Sequence, residues 1–148
     1  MVVLYAAFLD PKLREHGLAR TAEKARLDAL HVGDPDAAAA ALKAWEAANP
    51  APQTPIGIAA DHIDHLKKTI GVDHIGIGGD YDGMDATPVG LEDVTGYPRL
   101  FAELARRGYT QAELEKIASG NMIRVLKAVE AYAASQKGQP PIETPVAK

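Results

Sequence analysis

Cysteine is absent from this 148-residue chain. That excludes disulfides, thiolate nucleophiles and cysteine-based zinc sites. Large aromatics are scarce, with two Phe and one Trp, so a core must rest on Ala, Leu, Ile and Val. No run of about 18 apolar residues occurs, so nothing reads as a spanning helix. A basic surplus is missing too: the formal net charge is −4, which gives no electrostatic case for nucleic acid or an anionic membrane. The first residues lack the basic stretch and apolar run of a signal peptide. The lack of cysteine fits a reducing compartment, so a cytoplasmic location is the favoured expectation, with any export signal lying upstream. What is there is one domain's worth of chain, 47% apolar, as globular proteins are.

Met1 to Leu9 is apolar from the first residue, where chains usually begin with polar, loosely held residues. The expectation is a chain that starts inside a larger fold. Residues 2–6 read as a buried strand. A charged helix is expected from Pro11 to about Leu27. Asp34-Pro35-Asp36 starts another, an Asp cap followed by proline at the first position, which runs to Ala48. Thr54-Pro55 repeats that signal. Ile56, Ala59, Ile63, Leu66 and Ile70 then fall on one helical face, and Gly71 closes the helix. A strand over 74–80 follows after a tight turn, so 54–80 reads as the αβ half of a βαβ unit. Residues 81–96 form a long polar loop. A helix is expected from Pro98 to Arg107. Thr110 and Glu113 form a capping box opening a helix to about Ala118, and a last helix spans Asn121 to about Ala134. Residues 135–148, with three prolines and no apolar pattern, read as a disordered tail.

The chemistry concentrates in His74-Ile75-Gly76-Ile77-Gly78-Gly79-Asp80-Tyr81-Asp82-Gly83. Ile75 and Ile77 are β-branched anchors between glycines. Asp80 stands at the carboxyl end of the expected strand, where α/β proteins bind ligands. Two readings of it stay open: a general acid/base or substrate-binding carboxylate, or a turn cap. Asp80-x-Asp82-Gly83 also resembles a calcium loop, but an EF-hand needs glycine at position 6 and Glu at position 12. Here Gly83 is fourth and Leu91 twelfth. The glycine spacing fits neither dinucleotide nor P-loop patterns. Asp61-His62-Ile63-Asp64-His65 places two histidines on one helix face and invites a metal reading. With no third ligand nearby, helix-start chemistry is favoured, the carboxylates meeting the N-terminal dipole and the histidines packing.

Several blocks then line up with one family. Asp61-His62-Ile63-Asp64-His65, the segment from His74 to Gly83, Gly90-Leu91-Glu92-Asp93-Val94 with Tyr97-Pro98, Arg106-Arg107-Gly108-Tyr109, and Gly120-Asn121 with Arg124-Val125 resemble the renal (membrane) dipeptidases, the M19 metallopeptidases. The resemblance implies a fold class of α/β, the last two strand-helix units of a TIM (β/α)8 barrel, helix-dominated at this length. It implies that residues 1–134 form the C-terminal part of such a barrel, from strand seven to the final helices. Strand seven would be Val2–Tyr5 and strand eight 74–80. The activity implied is zinc-dependent hydrolysis of a dipeptide bond. Asp80 would be the active-site aspartate, holding the substrate amino group or moving a proton. Tyr5 would line the substrate pocket, although Leu4 and Ala6 differ from the family's usual pattern there. His62 and His65 match no metal ligand of the family. Its two zinc ions take their ligands from segments upstream of strand seven, so this chain is expected to carry none and to be inactive alone. A homo-oligomer or a barrel-completing N-terminal portion is the expected partner. The alternatives are a stand-alone non-enzymatic interaction module and one half of a split enzyme.

Overall fold

The computed structural model describes residues 1–139; residues 140–148 of the expected tail lie outside them. Two parallel strands, β1 (Val2–Val3) and β2 (Ile77–Gly78), pair with Val2 opposite Ile77 and Val3 opposite Gly78. Between them run α1 (Ala6–Leu9), α2 (Pro11–Leu30), α3 (Pro35–Ala48) and α4 (Ile56–Ile70). After β2 come a short 3₁₀ turn at Tyr81–Gly83, another at Val94–Gly96, then α5 (Tyr97–Arg106), α6 (Gln111–Glu115) and α7 (Asn121–Ser135). Helix dominates.

Both strands are shorter than the sequence predicts. Residues 2–6 pair only at Val2 and Val3, and Ala6 already begins α1. Over 74–80, His74 belongs to a 3₁₀ turn and only Ile77 and Gly78 enter the ladder. The backbone is extended beyond these limits, at Tyr5 (φ −73°, ψ 113°) and Ile75 (φ −102°, ψ 138°). The ladder ends where the chain leaves the pairing, at Ala6 entering α1 on one side and at the 3₁₀ turn holding His74 on the other.

The helices follow their local signals. Asp34 accepts from the Ala37 amide at 3.0 Å and caps α3. In α4, Ala59 and Ile63 are fully buried and Ile56 and Leu66 partly so, while Ile70 is 47% exposed, so the apolar face holds until the last turn. Thr54 does not cap α4. Its hydroxyl instead donates to Asp10 Oδ2 at 3.1 Å in a buried pair, and Pro55 precedes the helix without a side-chain cap. Asp10 meanwhile caps α2 through the Lys12 amide at 3.0 Å. The start and end of the α2–α3 hairpin therefore meet at one buried hydrogen bond. The two helices are joined to each other by Arg20–Glu46 at 2.6 Å and by His16 against the Asn49 carbonyl at 2.8 Å.

The Thr110 capping box forms, with both reciprocal bonds present. The helix it opens does not stop at about Ala118. A π-helical turn over Lys116–Gly120 carries it into α7 without a break. The core gathers Leu4, Ile63, Ile75, Leu91, Leu100, Leu104 and Ile117, all fully buried. It lies between the strand pair, α4, α5 and the π turn.

Candidate active-site loop

Asp80 stands one residue beyond β2, after Gly79, and has φ 54°, ψ 32°. It is the one non-glycine with positive φ among the described residues. Aspartate tolerates this left-handed geometry better than most side chains. The turn it opens closes by the Gly83 amide donating to the Asp80 carbonyl at 2.9 Å. A Cβ on Gly83 would stand 2.6 Å from Asp80 Oδ1, so a side chain there would push the carboxylate aside. The Asp80 side chain itself makes no capping bond. It is exposed, and no other side chain pairs with it among the described residues. The turn uses the Asp80 backbone and leaves the carboxylate free.

The other side of Asp80 is tightly filled. A Cβ on Gly79 would stand 2.6 Å from the Tyr97 hydroxyl and 2.9 Å from the Tyr81 ring. Tyr81 and Tyr97 pack at 6.0 Å between centroids. The Tyr81 hydroxyl is buried with no hydrogen-bond partner among the described residues. Burial first, and then the neighbouring Tyr97, pushes its phenol up to about 12.

Parallel pairing brings the residues after β1 to the same end as those after β2. Tyr5 is half-buried there. It lines an open cleft of about 470 Å³ with Asp82, Gly83, Met84 and Asp85. The Tyr5 and Phe8 rings meet edge-on at 4.8 Å. The neighbouring Asp85 carboxylate, more than burial, raises the Tyr5 phenol above its ordinary value. The structure thus sets Tyr5 and Asp80 at one end of the sheet, with Gly83 shared between the cleft and the Asp80 turn.

The rest of the acidic loop is structural. Glu92 accepts from the Gly90 amide at 2.7 Å, which holds its carboxyl below the usual range. Asp93 caps the 94–96 turn through the Thr95 amide at 2.7 Å and is lowered by Thr95. Arg99 Nε donates to the Gly90 carbonyl at 2.9 Å, and Val89 donates to the Thr54 carbonyl at 2.8 Å.

Asp61 and Asp64 lie beyond the first turn of α4, so the helix dipole is not their partner. Arg107 is. Its Nη1 donates at 2.6 Å to both Asp61 Oδ1 and Asp64 Oδ2, its Nε to Glu103 at 2.7 Å and its Nη2 to the Gly57 carbonyl at 3.0 Å. Tyr109 donates to the remaining Asp64 oxygen at 2.8 Å. Arg106 and Arg107 together hold Glu103 down at about 2. Between Arg107 and Tyr109, Gly108 (φ +89°) ends α5 with its amide on Ala105 and that of Tyr109 on Leu104, the paired bonds of a Schellman turn. The turn aims Arg107 and Tyr109 at α4. His62 meets the Leu9 carbonyl at 2.9 Å. At the far end of β2, Asn121 Nδ2 donates to the Val72 and Ile75 carbonyls at 2.7 and 2.8 Å, and Arg124 to the Asp73 carbonyl at 2.6 Å.

The two-zinc centre that the resemblance implies does not fit these side chains. No three His, Asp or Glu among the described residues are grouped to hold a metal. Of the residues that invited the idea, Asp61 and Asp64 are engaged by Arg107 and Tyr109 and His62 by the Leu9 carbonyl. No helix of the described residues is long and apolar enough to cross a membrane. Sequence reasoning missed Asp10 and its pairing with Thr54. The Thr54 cap signal was local, whereas its partner is 44 residues away.

Comparison with known proteins gives a consistent result. Residues 1–140 match the sequence model of one family, described as membrane dipeptidase (peptidase family M19). Dipeptidase 3 of Rattus norvegicus is 47% identical over 88 residues, 60% of this chain and 18% of the relative. Dipeptidase 3 of Homo sapiens is 43% identical over the same shares. Dipeptidase tcpJ of Claviceps purpurea is 49% identical over 82 residues, 55% of this chain and 19% of the relative. The chain spans about a fifth of the length of the curated relatives it matches.

Proposed function

Because the chain belongs to the membrane dipeptidase family, peptidase family M19, we propose that it forms the closing section of a dipeptide-hydrolysing (β/α)8 barrel, β1 being its seventh strand and β2 its eighth. The observation that carries this is Asp80: a carboxylate at the carboxyl end of β2, left free by a turn that closes on its backbone. In a parallel barrel that end is where substrates bind. The remaining strands, and the metal ligands with them, would come from sequence corresponding to the rest of the relatives' length.

The chain's own residues have definable tasks in such an assembly. Asp80 presents an anion to the substrate's ammonium group and fixes the dipeptide by its free amino end, or takes and returns a proton at that end of the scissile amide. The left-handed backbone lets the turn close on the Asp80 carbonyl and leaves the carboxylate exposed. Tyr5 forms one wall of the pocket.

The experiment is a pair of assays. Purified chain with zinc and a dipeptide should give no hydrolysis. Supplied with the upstream part of an M19 relative, it should hydrolyse dipeptides, and Asp80→Asn in that assembly should lower kcat by about a hundredfold. Hydrolysis by the chain alone, or an undiminished rate with Asp80→Asn, would overturn the reading.

A further inference from the structure

The last helix is almost unpacked. Asn121 is the only buried residue of α7, and every described residue after it is exposed. Met122, Val125, Val129 and Tyr132 are between 47% and 67% exposed. Their spacing makes a seam along one side of the helix, the pattern of helix–helix packing. Arg124, Lys127 and Glu130 fall on the other sides. Isolated helices of about this length are marginal in water, and packing of an apolar face supplies most of their stability. In α4, of equal length, Ala59, Ala60 and Ile63 have that cover. The seam also continues beyond the helix. Its first turn borders an open cleft of about 200 Å³ with Met1, Ile75 and Gly76. There the Gly76 carbonyl accepts from Val2 of β1 at 2.7 Å, whereas the Ile75 carbonyl accepts from Asn121 at 2.8 Å. Successive carbonyls of an extended chain face opposite edges. So α7 starts at the edge of β2 on which, among the described residues, no strand lies.

We propose that the α7 seam and the free edge of β2 together seat one strand and its following helix from the rest of the relatives' length. The strand pairs with β2, and the helix lays an apolar face on Met122, Val125, Val129 and Tyr132. A lone helix would cover the seam and leave the edge open; a strand with its helix covers both. The family match runs to residue 140, so α7 lies inside the family's domain, while the chain matches about a fifth of its relatives' length. The identity of the occupant rests on the dipeptidase reading; the need of the seam for an apolar cover does not.

Because the chain has no cysteine, single thiols report the cover. Val129→Cys marks the seam and Lys127→Cys the far side. Each is made in the 148-residue chain and in the same chain with the upstream part of an M19 relative fused ahead of Met1. Modification by a maleimide is followed by mass spectrometry. Both thiols should react fast in the chain alone. In the fused protein Val129→Cys should slow about tenfold or more, as a group reached only by local opening does, and Lys127→Cys should keep its rate. If the fusion does not fold, the two parts are mixed as separate chains. Val129→Lys, which puts a charge into the seam, should then weaken their association about tenfold or more in sedimentation, and Lys127→Glu should leave it unchanged. Fast modification of Val129→Cys in the folded fusion, or association indifferent to Val129→Lys, would overturn the proposal. So would slow modification in the chain alone that depends on its concentration, since the cover would then be a second copy. A protected thiol without dipeptide hydrolysis would sink the dipeptidase reading and leave the seam's occupant standing.

Discussion

The two ends of β2 are built on opposite terms. At the entry, pairing is dense: Asn121 holds the Val72 and Ile75 carbonyls, Arg124 holds the Asp73 carbonyl, and Lys116 pairs with the Asp73 carboxylate at 2.6 Å. The same density marks the α4–α5 contact around Arg107. At the exit, Asp80, Asp82 and Asp85 stand together with no cation among the described residues, and one backbone is left-handed. Like charges gathered without a counterion destabilise a surface. Satisfied groups at one end hold the strand so that unsatisfied ones can persist at the other, as expected where local strain serves a site.

The contrast can be broken most strongly at the entry. Asn121→Ala removes both donors from two carbonyls of the segment feeding β2, and urea unfolding should show a loss of about 2–4 kcal/mol. Arg107→Ala comes next. It leaves Asp64 half-exposed without its cation and should cost about 2 kcal/mol in the same assay. Acid attacks the same hub. Glu103 sits at about 2 in the folded chain against an ordinary 4.5, so its contribution is fully present above about 4.5 and is lost as pH falls toward 2. A wild-type stability profile should fall through that window, and Glu103→Gln should flatten it.

Substitutions at the exit sharpen the contrast by doing little. Tyr81→Phe deletes a buried hydroxyl that has no partner, and should be neutral or stabilising by up to about 1 kcal/mol. Asp80→Asn keeps a side chain that accepts positive φ. Its melting should lie within about 0.5 kcal/mol of the parent. A large loss there would show that Asp80 serves the fold and not a ligand.

Local signals were legible and long-range ones were not. The Asp34 cap, the Thr110–Glu113 box, the α4 apolar face and the glycine stop at 71 each depend on residues within about four positions, and each has a form the sequence displays. The strand limits depend on a partner 75 positions away (Val2 opposite Ile77), so extended backbone was read as longer strand. Asp61 and Asp64 showed their spacing but not Arg107, more than 40 residues on. The prominence of Asp80 was visible in the alternation before it. The closeness of Asp85 to Tyr5 was not, because the hydrogen bond from the Ala6 amide to the Ala86 carbonyl sets it.

The buried Asp10–Thr54 contact also bears on how this chain could vary. Because the α2–α3 hairpin leaves and rejoins the body at a single hydrogen-bonded point, its length is nearly independent of everything else. A short glycine bridge between those two residues could replace the entire excursion at modest closure entropy. By the same token, an unrelated pair of helices could be grafted there, giving relatives with the same loops beyond β2 and quite different overhanging architecture.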